Sequence, residues 1–152
     1  MSRKHIPLAL ALAATIVAAG CGSGPGGGDS SSFIRDYNEA QEPLRGLVAR
    51  LDAAPGKNVG DADRFARDLT ATADEFDNVR VRLGRLDAPA GAQDEVATYL
   101  TELESGAKEI RRLARAIKQG DTKRLAKVVG PFQSALTEVQ HAEVSLSTAV
   151  EK

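Results

Sequence analysis

Residues 125–149, LAKVVGPFQSALTEVQHAEVSLSTA, set Leu125, Val128, Phe132, Ala135, Val139, Ala142, Leu146 and Ala149 at alternating steps of three and four. Steps averaging about 3.5 residues keep one apolar stripe on one side of a helix, facing a partner. Val129, Leu136 and Val150 widen that stripe beyond a two-stranded seam, which is the width a bundle interior requires.

Moving toward the amino terminus, the same stepping recurs three more times. It runs through Val96, Tyr99, Leu103, Gly106, Ile110, Leu113 and Ile117, with Leu100 and Ala107 beside it. Before that come Ala62, Phe65, Leu69, Thr72, Phe76, Val79, Leu83 and Leu86. The earliest set is Phe33, Tyr37, Ala40, Leu44, Leu47 and Leu51, flanked by Val48. Punctuation falls between the sets. Pro55-Gly56 and Gly60 end the first, with Asp61 or Asp63 able to cap the second; Pro89 and Gly91 separate the second from the third. Gly120 ends the third and Asp121 is placed to cap the fourth. Pro43 and Gly130-Pro131 lie inside apolar patterns, so a kink or a split is expected at each. Short connections make sequential helices antiparallel neighbours. The fold expected is all-α, an antiparallel up-down four-helix bundle over 33–152. Arg50-Leu51-Asp52-Ala53-Ala54-Pro55-Gly56 echoes Arg85-Leu86-Asp87-Ala88-Pro89-Ala90-Gly91, the same helix-ending chemistry used twice.

The chain has 152 residues, room for one domain. Its aromatics are four Phe and two Tyr with no Trp, so Leu, Val and Ala supply the apolar mass. That suits close-packed helices. Arginine outnumbers lysine, a usage typical of GC-rich genomes.

Residues 1–32 are a different material. Arg3 and Lys4 precede an apolar run from Ile6 to Ala19, interrupted only by Thr15, and small residues close it. A basic start, a short apolar core and small residues make an export signal, too short to span a bilayer comfortably. Ala18-Ala19-Gly20-Cys21 resembles the lipobox of bacterial lipoproteins, with Ala18 where that family prefers leucine. The resemblance implies cleavage before Cys21 and acyl chains on its thiol, which accounts for the single cysteine. It covers the leader, residues 1–20, and Cys21 only. Two acyl chains, at about 0.8 kcal/mol per buried methylene, suffice for stable anchoring. Residues 22–32, GSGPGGGDSSS, read as a tether with a root-mean-square reach of roughly 18 Å. The helical part also resembles small helical lipoproteins of actinobacteria, a likeness that transfers no site residues.

Removing Arg3 and Lys4 with the leader takes the basic residues from 20 to 18 against 21 acidic, a net charge of −3. No whole-domain attraction to nucleic acid follows.

Chemistry is sparse. Glu138-Val139-Gln140-His141 matches the Glu-x-x-His step of di-iron bundles, but such a site needs two of them and only one histidine lies beyond the leader. With Val139 in the seam, His141 falls on the outer side and Glu138 at the flank, so no metal is expected. No serine sits in a strand-to-helix elbow, and no glycine loop follows a strand to cradle phosphate. Asp74, Glu75 and Asp77 are expected on a solvated face. Neither a catalytic set nor a cofactor is implied.

Charge placement says more. Lys108, Arg111, Arg112, Arg115, Lys118, Lys123, Arg124 and Lys127 flank the third turn, opposed only by Glu109 and Asp121. Bases near a helix end complement its dipole, which accounts for Arg111 to Lys118 but not for Lys123, Arg124 and Lys127 near a helix start. The reading that results is a lipid-anchored extracytoplasmic envelope protein, binding without catalysis. Its partner at the basic turn would be an envelope protein, an anionic wall polymer or anionic lipid. The alternative is a carrier of a small molecule or lipid, with the small seam residues Ala40, Ala62, Thr72, Gly106, Ala135, Ala142 and Ala149 leaving room between helices.

Overall fold

A computed structural model describes residues 30–52 and 62–151, with side chains over 30–47 and 62–151. These residues form four helices and no strand: α1 (Ser30–Asp52), α2 (Ala62–Leu83), α3 (Gln93–Lys118) and α4 (Thr122–Val150). The 26 residues of α3, at about 1.5 Å each, make a rod roughly 39 Å long.

The apolar stepping is the core. Phe33, Tyr37, Leu44, Leu69, Phe76, Val79, Leu83, Tyr99, Leu103, Ile110, Phe132, Val139 and Leu146 are buried together. Burial fades toward the α3–α4 turn, where Ile117, Leu125 and Val128 are partly exposed, as are Leu47 and Phe65. α3 is the central helix, packed closely on α2 and on α4, while α1 packs chiefly on α2 through a lighter interface.

Gly106 shows why α3 can approach both neighbours. A Cβ there would lie 2.9 Å from Phe76 Cε1 and 3.3 Å from Val139 Cγ2. The missing side chain is thus filled by α2 and α4 side chains.

Two helix ends differ from the periodicity reading, and two prolines leave their helices unsplit. α1 takes in Ser30, Ser31 and Ser32, residues expected in the tether. α2 ends at Leu83 rather than Leu86: the amides of Arg85 and Leu86 bond back to Arg82 and Leu83, tightening the last turn. Leu86 nevertheless packs against the core, which is why its spacing looked helical. Pro43 and Pro131 split nothing; α1 and α4 run through them, and both prolines are exposed. The hydrogen bond each forfeits therefore opens toward water.

The third turn is built as its sequence predicts. Gly120 takes φ of 63°, a left-handed conformation that costs glycine little. Asp121 then caps α4, its side chain accepting from the Arg124 amide at 2.9 Å.

Candidate functional site

Two regions carry polar chemistry: the basic flank of the α3–α4 turn, and a polar cluster inside the bundle. The lipobox residues Ala18, Ala19 and Gly20, the acceptor Cys21 and the linker up to residue 29 lie outside the described residues.

Of the eight cations, the structure engages three. Arg111 is half-buried, and its Nη2 donates to Asp74 and Asp77 of α2 at 2.7 Å each. Hydrogen bonds to those two carboxylates hold its guanidinium more firmly protonated than usual, Asp74 contributing most. Arg112 donates to Glu109 one turn back at 2.6 Å, and Arg124 reaches across the turn to Gln119. Lys108, Arg115, Lys118, Lys123 and Lys127 stay exposed, with no ion-pair partner among the described residues. On α3, Lys108, Arg115 and Lys118 recur at helical spacing opposite the buried Ile110 and Leu113; on α4, Lys123 and Lys127 stand opposite the core side. The turn brings the two stripes to one end of a helical pair.

The acids of α2 thus have a structural task. Asp74, Arg111, Asp77, Arg80 and Glu104 form a chain across the α2–α3 surface, with Arg80 at 3.7 Å from Asp77 and 3.8 Å from Glu104. Glu138 and His141 are exposed on the outer side of α4. Among the described residues no three His, Cys, Asp or Glu side chains gather as metal ligands. No described helix is long and apolar enough to cross a membrane.

The second region was not anticipated. Gln41 of α1 and Glu143 of α4 are 2% and 4% exposed, in a core that is otherwise apolar save for Thr72. Gln41 Nε2 donates to the phenol oxygens of Tyr37 and Tyr99, at 2.8 and 2.6 Å. The Tyr37 hydroxyl in turn donates to Glu143 Oε1 at 3.3 Å. The chain of bonds links α1, α3 and α4. Burial drives the Glu143 carboxyl up from the ordinary carboxylate range, while the bond from Tyr37 and the charge of Arg45 pull it partly back. Burial likewise raises both phenols well above their ordinary range.

A signal for this cluster existed. Gln41 lies four residues after Tyr37, and Glu143 lies four after Val139 and three before Leu146, so both occupy seam spacing. Polarity alone excluded them from the stripe. Thr72, placed in the seam by sequence, settles its hydroxyl on the Asp68 carbonyl at 2.9 Å and leaves the cluster to the other helices.

Against known proteins the chain stands apart: no family model matches it, and neither curated proteins nor solved structures give a match.

Proposed function

We propose that this chain is an exported lipoprotein, cut before Cys21 and held by acyl chains at the extracytoplasmic face of a cell membrane. Its helical part acts there without catalysis, as a binding or adaptor protein of the envelope, and the basic turn takes a polyanionic partner. The observation that carries the binding reading is the set of exposed cations with no ion-pair partner among the described residues, Lys118, Lys123 and Lys127 with Arg115 and Lys108. Helix-end electrostatics accounts for Arg115 and Lys118 but not for the pair opening α4. Several such cations close together attract a phosphate-rich polymer through release of its counterions, and the attraction falls with salt.

An up-down antiparallel order supports this placement of the turn. Gly84 lies beside Leu100, Arg80 beside Glu104 and Asp77 beside Arg111, so α2 numbering falls as α3 numbering rises. Tyr37 near the start of α1 meets Glu143 near the end of α4. With that order the α3–α4 turn stands at the end away from the tether, one helix length from the membrane. The carrier reading draws less support, because Gly106, the smallest seam residue, is packed shut by Phe76 and Val139.

Two variants test the two halves of the proposal separately. Cys21→Ser is expected to move the protein from the membrane fraction to the soluble fraction; retention in the membrane fraction overturns the anchor. Reversing Lys118, Lys123 and Lys127 to glutamate is expected to abolish sedimentation with isolated envelope at low salt. Undiminished sedimentation removes the basic turn from the function and leaves the anchor standing.

A further inference from the structure

α1 is attached by two unlike means. Phe33, Ile34, Tyr37, Ala40 and Leu44 give it an apolar inner face, and Gln41 sits in the middle of that face. Its packing on α2 is the lightest of the main helix–helix interfaces. Toward α3 it is secured by the bond from Gln41 to Tyr99 and toward α4 by that from Tyr37 to Glu143, while Gln41 also donates to Tyr37 within α1. The partner at the end of that chain is a carboxyl group that gains or loses charge with pH.

We propose that the Tyr37–Gln41–Tyr99–Glu143 cluster is a proton-set latch that holds α1 against α3 and α4 when Glu143 is protonated and releases it more often when Glu143 is ionised. The geometry supplies the reason. An ionised Glu143 would be 4% exposed, and the bond it accepts from the Tyr37 hydroxyl is long, at 3.3 Å. The groups that act on it are Tyr37 and Arg45 of α1, and its own charge bears in turn on Tyr99 of α3. Arg45 acts only through its charge, its Nη2 being bonded to Asn38 at 3.0 Å. Lifting α1 removes the cover and lets water solvate the carboxylate, so the closed state binds the proton more tightly than the open one.

The sign follows from linkage. The closed-state carboxyl titrates above the open-state one, so the holding effect is complete below the ordinary glutamate range and is lost as pH rises through the closed-state value. Within that window the opening equilibrium grows by up to about tenfold per pH unit.

Hydrogen exchange on the full chain in detergent, at about pH 5 and about pH 7.5 and corrected for intrinsic exchange rates, reads this directly. Protection of amides 33–47 is expected to fall steeply with pH, while amides across the α2–α3 interface change by less than about twofold. Glu143→Gln, which stays neutral and still accepts from Tyr37, is expected to keep α1 protected at both pH values. A flat wild-type profile overturns the latch, as does an equal pH slope in E143Q. Equal loss across all helices overturns it too, since that is global unfolding. Should E143Q lose helix by circular dichroism, Tyr37→Phe serves instead. It removes the donor that favours the charged carboxylate, so the loss of α1 protection moves to higher pH; an unmoved midpoint overturns the proposal.

Discussion

Two glycines show how much a single Cβ decides. At Gly106 an added methyl meets the Phe76 ring at 2.9 Å and Val139 at 3.3 Å, with both rows of neighbours buried. Gly106→Ala is expected to destabilise the protein by roughly 1–3 kcal/mol, since overpacking forces the ring off its place. At Gly46 nothing lies within 4 Å of the added methyl, and the residue is exposed inside α1. Gly46→Ala is expected to gain about 0.5–1 kcal/mol by helix propensity alone. Urea midpoints of the two variants check the opposite signs. Only one of these was legible in the sequence. Gly106 stood in a seam of large residues, so its burial could be read; which side chain fills its place depends on levels that a single stripe does not carry. Gln41 and Glu143 were missed for a related reason. A periodicity argument admits residues by polarity first, and a polar side chain enters a core only where its partners wait, on helices distant in sequence.

Among the elements, α4 depends most visibly on its start. Its first turn carries Lys123 and Arg124, with Lys127 in the next, against the positive end of the helix dipole, and Asp121 is the only acid there. Asp121→Ala is expected to cost roughly 1 kcal/mol, seen as a lower thermal midpoint and faster amide exchange at residues 122–125. Unchanged exchange in that turn would show that the cap is idle. The α2–α3 pair relies instead on apolar packing, with the ion chain through Arg111 as an accessory. Because Asp74 is largely exposed, Arg111→Ala is expected to cost no more than about 1 kcal/mol, and the difference from wild type should shrink in high salt. A larger loss, insensitive to salt, would mean that the aliphatic stem of Arg111 matters more than its charge. Helix existence was readable from the three-and-four stepping and from Gly120-Asp121. Helix ends were less so: Leu86 keeps its apolar contact after the backbone has left the helix, and packing and hydrogen bonding part company there.

Across the whole molecule the tyrosines are the natural reporters. The chain has two, no tryptophan, and both phenols are fully buried in one cluster. Their ionisation lies above the ordinary phenol range in the folded protein, so their contribution to stability is present below about pH 10 and is lost as pH rises beyond it. An ultraviolet titration is expected to show both tyrosinates appearing in one cooperative step, coincident with loss of helix by circular dichroism. Separate, gradual ionisation at the ordinary phenol value would place the rings in contact with water. The all-helical bundle itself was legible because its apolar residues repeat, and the basic flank of the third turn was legible as a run of charges. What the turn meets was not, since exposed cations specify a charge and not a partner.

The contact between Tyr37 and Glu143 also bears on connectivity. It joins the first helix to the last through side chains alone, a link that no loop of the chain supplies. A short linker from the end of α4 to the start of α1, with new termini opened at Gly120, would keep every helix beside its present neighbours. Chain order and spatial order are therefore separable in this bundle. The same packing is open to a sequence that begins at Asp121.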